Sequence, residues 1–127
     1  MTLSEMKTFQ IILKEKGVEM TKALRNREGI LIEKAADELD EITTALERDI
    51  AVQKLDCESR LLRQILGALS RIERGSFGTC LHCDDEINRK RLAAVPWTPF
   101  CLACQEAADR GDQSVLEIAE RWFAEAA

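Results

Sequence analysis

Four of the five cysteines fall into two short pairs, Cys80-Leu81-His82-Cys83 and Cys101-Leu102-Ala103-Cys104, with seventeen residues between them. Two residues between thiols let one tight turn present both sulfurs, with backbone N–H groups pointing toward them. Two such turns supply four ligands at about 2.3 Å in a tetrahedron, the arrangement that suits Zn(II). The spacing alone leaves iron open. Four protein ligands close the coordination sphere, so the expected metal is one structural zinc ion, without a position for water or substrate. A pair of disulfides would need an oxidising compartment, and a thioredoxin-like redox motif carries one CxxC rather than two matched pairs. His82 sits between two ligands and reads as a neighbour of the site or a surface group. Cys57 has no partner in sequence and reads as a partly buried small apolar residue; the sequence assigns it no role.

Composition bounds what surrounds this site. The chain has 127 residues, 46% hydrophobic, 32% charged and 5% aromatic, with no tyrosine and a net charge of −5. Such a content of Ala, Leu, Glu, Lys and Arg favours helix. The acidic balance disfavours a dedicated nucleic-acid binder, which grips phosphates with a basic face. The opening MTLSEMKTFQIILKEKG is broken by charges and reads neither as a signal peptide nor as a membrane span. The reducing cytosol is the expected compartment, with no membrane partner.

The elements that must position the cysteines are long helices. Thr2 and Glu5 have the spacing of a capping box. Met6, Leu13 and Met20 recur every seven residues, with Phe9, Ala23 and Ile30 as a companion row. Leu55, Leu62 and Leu69 repeat the seven-residue spacing between about Thr44 and Arg74, accompanied by Ile65 and Ile72, with Leu46 and Ile50 extending the apolar side. Each seam is narrow and suits one partner helix. Joined by the short AADELDEITT, the two helices are expected to fold back antiparallel as a hairpin coiled coil over residues 1–74. Thr43 or Thr44 is the expected cap of the second helix. The acids of the connection, around residues 37–43, would crowd the far tip of the rod, which by itself also describes a solvated turn beside a helix N-terminus.

Gly75 and Gly78 mark the end of the second helix, and residues 75–127 hold the four-cysteine head and a C-terminal helix. The span DDEINRKRLAAVPWTPF between the pairs is too short for a core of its own, so metal binding and folding should be coupled. It brings Arg89, Lys90 and Arg91 near Arg71 and Arg74, a cluster that could touch a partner or nucleic acid or be a solvated face. Trp97, between Pro96 and Pro99, either covers the metal site or is exposed for contact. Ser114 and Glu117 are spaced as a second capping box. After them Val115, Leu116, Ile118, Ala119, Trp122 and Phe123 give the last helix an apolar face, for packing against the head or docking a partner. The fold class is therefore mostly α: a long antiparallel hairpin, a four-cysteine zinc-finger head and a C-terminal helix.

The stretch RIERGSFGTCLHCDDEINRKRLAAVPWTPFCLAC resembles the C-terminal zinc finger of the DksA/TraR family of bacterial transcription regulators. The matching elements are Arg71-Ile72-Glu73, Gly75, Phe77-Gly78, Glu86-Ile87, Arg91-Leu92, Pro96 and both cysteine pairs. With the hairpin and its acidic tip, the likeness covers roughly residues 1–110. It implies a protein that binds RNA polymerase at the secondary channel, the pore that admits nucleotides. The zinc end would dock at the rim while the coiled coil inserts and its tip alters promoter complexes near the active site. The family's tip reads Asp-x-x-Asp-x-Ala; here Asp37 and Asp40 keep both acids and Ile42 replaces the small residue. The positions implied for the family's ppGpp site fall on Gln64, Val95 and Gln105, none basic, so ppGpp synergy is expected to be weak or absent. Against the family's pattern the chain begins directly at the first hairpin helix and carries a longer C-terminal helix.

The leading expectation is thus a non-enzymatic regulator, with Asp37, Asp40 and Ile42 at the acting tip, and Cys80, Cys83, Cys101 and Cys104 on zinc. The alternatives are a structural or adaptor zinc protein without polymerase control and a zinc ribbon binding nucleic acid through Arg71, Arg74, Arg89, Lys90 and Arg91. Sequence-specific DNA binding is not expected. A long exposed hairpin leaves self-association open, and the target promoters are not encoded in any motif.

Overall fold

The computed structural model describes residues 2–36 and 41–126, with side chains for residues 2–26 and 45–121. Five helices follow one another: α1 (Leu3–Ala36), α2 (Glu41–Arg74), α3 (Arg89–Ala94), α4 (Leu102–Asp109) and α5 (Gln113–Ala126). No strand occurs among the described residues, where Thr79 and Glu86 make an isolated antiparallel bridge. No described helix is long and apolar enough to cross a membrane.

α1 and α2 have 34 residues each, about 50 Å at 1.5 Å per residue, and pack against each other as the expected hairpin. The Thr2–Glu5 capping box forms in both directions. The Glu5 N–H donates to Thr2 Oγ1 at 3.2 Å, and the Thr2 N–H donates to Glu5 Oε2 at 3.0 Å. α2 begins at Glu41, ahead of the caps expected at Thr43 or Thr44. With neither Gly nor Pro in the connection, helical backbone continues further into it from both sides than the polar composition suggested.

The seams become the core of the rod. Leu13, Met20, Ile65 and Ala68 are buried, and Met6, Phe9, Leu61, Leu62, Leu69 and Ile72 pack beside them. A two-helix rod can cover one stripe per helix, so Ile11 and Val18 remain exposed, and Leu46 and Ile50, expected to extend the apolar side of α2, are exposed as well. Gly17 sits in the interhelical contact: a Cβ there would lie 3.5 Å from Ile65 Cγ2, ordinary van der Waals distance. Ile30 lies outside the described side chains.

The end of α2 is set by Gly75, whose φ of 80° only glycine adopts readily. Its N–H reaches Ile72 O, and that of Ser76 reaches Arg71 O at 2.9 Å, the paired bonds of a Schellman cap. α4 ends in the same way. Gly111 has φ 87°, its N–H donates to Ala108 O, and the Asp112 N–H donates to Ala107 O. Phe77, immediately after α2, carries the core into the head. Its ring tilts against Phe9 of α1, with centroids 5.4 Å apart.

In the head, Ile87, Leu92, Phe100 and Val115 are nearly or fully buried in one cluster continuous with the rod's core. Val115 belongs to α5, which packs on both α2 and α4. The last helix is therefore docked on the head and the base of the hairpin through Val115, Ile118 and Ala119. The side chains of Trp122 and Phe123 lie outside the described residues. Trp97 is half-buried against the same cluster, as a cover rather than a free contact.

Candidate metal centre

Local backbone bonds shape the first cysteine turn. The Cys80 N–H donates to Asp85 O at 2.8 Å, the Asp84 N–H to Cys80 O at 3.1 Å, and the Ile87 N–H to Gly78 O at 2.8 Å. Asp84 closes this loop with φ 61°, a left-handed conformation that aspartate tolerates better than most residues. The second turn starts α4, where Cys101 occupies the N-cap position. The two turns are tied directly, since the Leu81 N–H donates to Pro99 O at 3.0 Å.

Together they bring the sulfurs of Cys80, Cys83, Cys101 and Cys104 within 4.8 Å of one another. Cys83 Sγ and Cys101 Sγ stand 3.7 Å apart, too far for a disulfide bond and close to the roughly 3.8 Å edge of a tetrahedron with 2.3 Å metal–sulfur bonds. Cys80 and Cys104 are buried, Cys101 is half-buried and Cys83 is exposed. The site therefore lies at the edge of the head with its inner half enclosed.

The electrostatics of the four thiols ask for a cation. Burial pushes the Cys80 thiol up, but the backbone N–H groups of Cys83, Cys101 and His82 outweigh it and bring it down to about 7. At Cys83 the Asp85 backbone N–H favours the thiolate, yet burial and the thiols of Cys80 and Cys101 leave its pKa raised. Burial first, and then its three neighbours, raise Cys104. One thiolate thus forms readily and opposes the others, which is how like charges crowded into one site behave. A divalent ion at the centre reverses that opposition and holds all four ionised. The donor set, the sulfur spacing and the closed ligand count fit a structural zinc ion, which these four residues hold.

His82 is not a fifth ligand. Its Nδ1 lies 3.3 Å from Cys104 Sγ, and its Nε2 lies 3.3 Å from Ser114 Oγ. The Ser114 hydroxyl and N–H both donate to Asp112 Oδ1, at 2.7 and 3.0 Å, and hold the Asp112 carboxyl below its ordinary range. The cap of α5 is consequently Asp112, and the Ser114–Glu117 box expected from spacing is displaced by an acid two residues earlier.

The basic cluster is largely committed within the chain. Arg71, read as a surface contact, is 3% exposed, with its guanidinium 3.5 Å from Thr98 O. Burial lowers it to about 10, which leaves it charged at neutral pH. Arg91 is half-buried and donates to Phe100 O and Thr98 Oγ1, each at 3.2 Å. Arg89 is exposed and pairs with Glu5 Oε1 at 2.9 Å, clipping α3 to the start of α1. Arg74 and Lys90 are on the surface. Thr98, buried at 3%, organises this network without any motif to announce it. Asn88 was also unmarked: its side chain caps α3 by accepting from the Lys90 N–H at 2.9 Å.

Gln64, Val95 and Gln105 are half-buried, and Gln105 donates to Asp109 at 3.1 Å. Asp37 and Asp40 lie outside the described residues; Ile42 falls within α2, with its side chain outside the described part. Cys57, expected to be partly buried, is exposed on α2.

A closed four-thiolate zinc finger at the base of a long helical hairpin defines the class of protein. Residues 75–110 match the family described as the prokaryotic dksA/traR C4-type zinc finger. An uncharacterized protein of Aquifex aeolicus is 45% identical over 53 residues, covering 42% of this chain and 37% of that protein. The RNA polymerase-binding transcription factor DksA of Haemophilus influenzae is 29% identical over 79 residues, 62% of this chain and 54% of that protein. Its Escherichia coli namesake is 30% identical over 73 residues, 58% and 48% of the two chains. These matches span about half the length of the curated relatives or less. The solved structure of the transcription factor DksA2 from Pseudomonas aeruginosa superposes with TM-score 0.75, covering 87% of this chain and 88% of that one at 24% identity, a likeness of fold. Residues 75–110 thus form a finger of the DksA/TraR type, and the chain is similar to DksA proteins over part of its length.

Proposed function

We propose that the protein regulates transcription by binding RNA polymerase, with the zinc head docked at the rim of the secondary channel and the hairpin inserted toward the active site. The observation that carries this reading is the pairing of a DksA/TraR-type finger with two helices of 34 residues whose connection contains Asp37 and Asp40. A rod of about 50 Å is long enough to carry a small charged tip deep into a protein channel. Relatives over part of the chain are named for binding RNA polymerase.

In this reading zinc supplies no chemistry to the reaction. It fixes the two cysteine turns, and so the direction in which α2 leaves the head. Asp37 and Asp40 act as negative charges against cationic groups or bound magnesium in the polymerase, and Ile42 is bulkier than the alanine of the family's tip pattern. The protein catalyses nothing itself and works in the cytoplasm, where the polymerase is. Contact at the rim falls to the exposed faces of the head, where Lys90 and Arg89 are among the basic side chains on the surface. ppGpp synergy is weak or absent, because Gln64, Val95 and Gln105 carry no positive charge.

The test is polymerase binding together with run-off transcription from several promoters, comparing wild type with Asp37→Asn/Asp40→Asn. The expected result is unchanged binding with loss of the effect on promoter output. Wild-type binding with equal output from both proteins would remove the tip mechanism. Failure of the wild type to bind would leave the adaptor reading instead.

A further inference from the structure

We propose that His82 is the outer partner of the zinc site and couples metal retention to the docking of α5. One ring touches groups 22 and 32 residues away in sequence, Cys104 Sγ through Nδ1 and Ser114 Oγ through Nε2, each at 3.3 Å. The imidazole therefore bridges three segments: the first cysteine turn that carries it, the helix that carries the fourth ligand, and the first turn of α5.

Each link has a physical role. A metal-bound thiolate is a strong acceptor, and a ring N–H directed at it fixes the Cys104 sulfur and offsets part of its charge. On the other side, Ser114 is itself held by its N–H, which donates to Asp112 Oδ1, while its hydroxyl lies 2.7 Å from Asp112 Oδ1 and 3.3 Å from His82 Nε2, with one hydrogen to give to either. His82 thereby meets a rigid helix start instead of a free hydroxyl. α4 is positioned by the metal at both Cys101 and Cys104, and α5 packs on α4 and α2 with Val115 fully buried. Metal loss frees Cys104, releases the ring and removes one of the ties that hold α5 to the head. Loosening α5 deprives the ring of its outer anchor and leaves the Cys104 sulfur less firmly held.

Two variants separate the links. His82→Ala cuts both. His82→Asn keeps a donor near the Nδ1 position and loses the reach to Ser114. Zinc release is read with a chromophoric chelator, and α5 docking by amide exchange of residues 113–119 in the zinc-loaded protein. His82→Ala is expected to release zinc about 10–100-fold faster, the usual range for removing an outer-shell partner, and to speed α5 exchange. His82→Asn is expected to restore most of the zinc retention and leave α5 exchange fast. Ser114→Ala, which touches no ligand, is expected to speed both processes modestly. Zinc release unchanged in His82→Ala would overturn the proposal. So would faster release without any change in α5 exchange, or a Ser114→Ala protein that keeps wild-type zinc kinetics. Should His82→Ala fail to fold, Ser114→Ala alone still decides, because the coupling requires zinc release to respond to it.

Discussion

Loading zinc into metal-stripped protein near pH 7 is expected to release between three and four protons. A free thiol ordinarily titrates at about 8.5, so four unconstrained cysteines begin almost wholly protonated at this pH and must all become thiolates on binding. The geometry modifies that count. If the head keeps its shape without the ion, Cys80, held at about 7, is already half ionised, while Cys83 and Cys104 are held further toward the thiol form. The release then falls to about three and a half protons; an unfolded stripped head gives about four. Because binding expels protons, raising the pH favours the complex and acid weakens it. The affinity should climb by about three to four powers of ten per pH unit below the thiol range. Titration calorimetry in buffers of different ionisation enthalpy measures the proton count directly, and chelator competition between pH 6.5 and 7.5 gives the slope. Release of two protons or fewer would mean that at least two of the four cysteines do not enter as thiolate ligands, and the closed four-sulfur site would be wrong.

Other consequences concern the scaffold. Leu13→Ala, at a fully buried seam position, should cost about 2–5 kcal/mol in urea denaturation while zinc content stays unchanged. Gly17→Ala should stabilise the hairpin by up to about 1 kcal/mol, since the new Cβ meets Ile65 Cγ2 at 3.5 Å without a clash and the helix interior gains propensity. Gly111→Ala should destabilise by about 1 kcal/mol, visible as a lower denaturation midpoint, because φ 87° strains any residue with a Cβ. A double-mutant cycle on Glu5 and Arg89 should show coupling of about 0.2–1 kcal/mol that fades in 1 M salt, as both side chains are substantially exposed.

Much of the architecture is written in local pattern. The seven-residue recurrence of Met6, Leu13 and Met20 against Leu55, Leu62 and Leu69 gives two helices and their shared face, because a helix repeats its geometry every few residues. Caps are local too: the Thr2–Glu5 box and the glycine stops at Gly75 and Gly111 involve partners within five residues. Where spacing misled, a competing local bond won. Asp112 accepts the Ser114 N–H that the Glu117 carboxylate would have taken in a Ser114–Glu117 box.

The cysteine spacing by itself pointed to a closed four-sulfur metal site, and together with the flanking Arg71-Ile72-Glu73, Phe77-Gly78 and Arg91-Leu92 it carried the resemblance to DksA/TraR fingers. The stretch between the two helical repeats holds four acids, of which the DksA/TraR resemblance singles out Asp37 and Asp40 as the candidate tip. Tertiary structure alone decided which polar side chains serve the scaffold. Arg71 is buried beneath Thr98, Arg89 is paired with Glu5 across 84 residues, and His82 spans the zinc site and α5. Periodicity encodes which face of a helix is apolar, but the partner of a given charge depends on how separate segments meet. That meeting is fixed only once the zinc-centred head has folded onto the base of the hairpin.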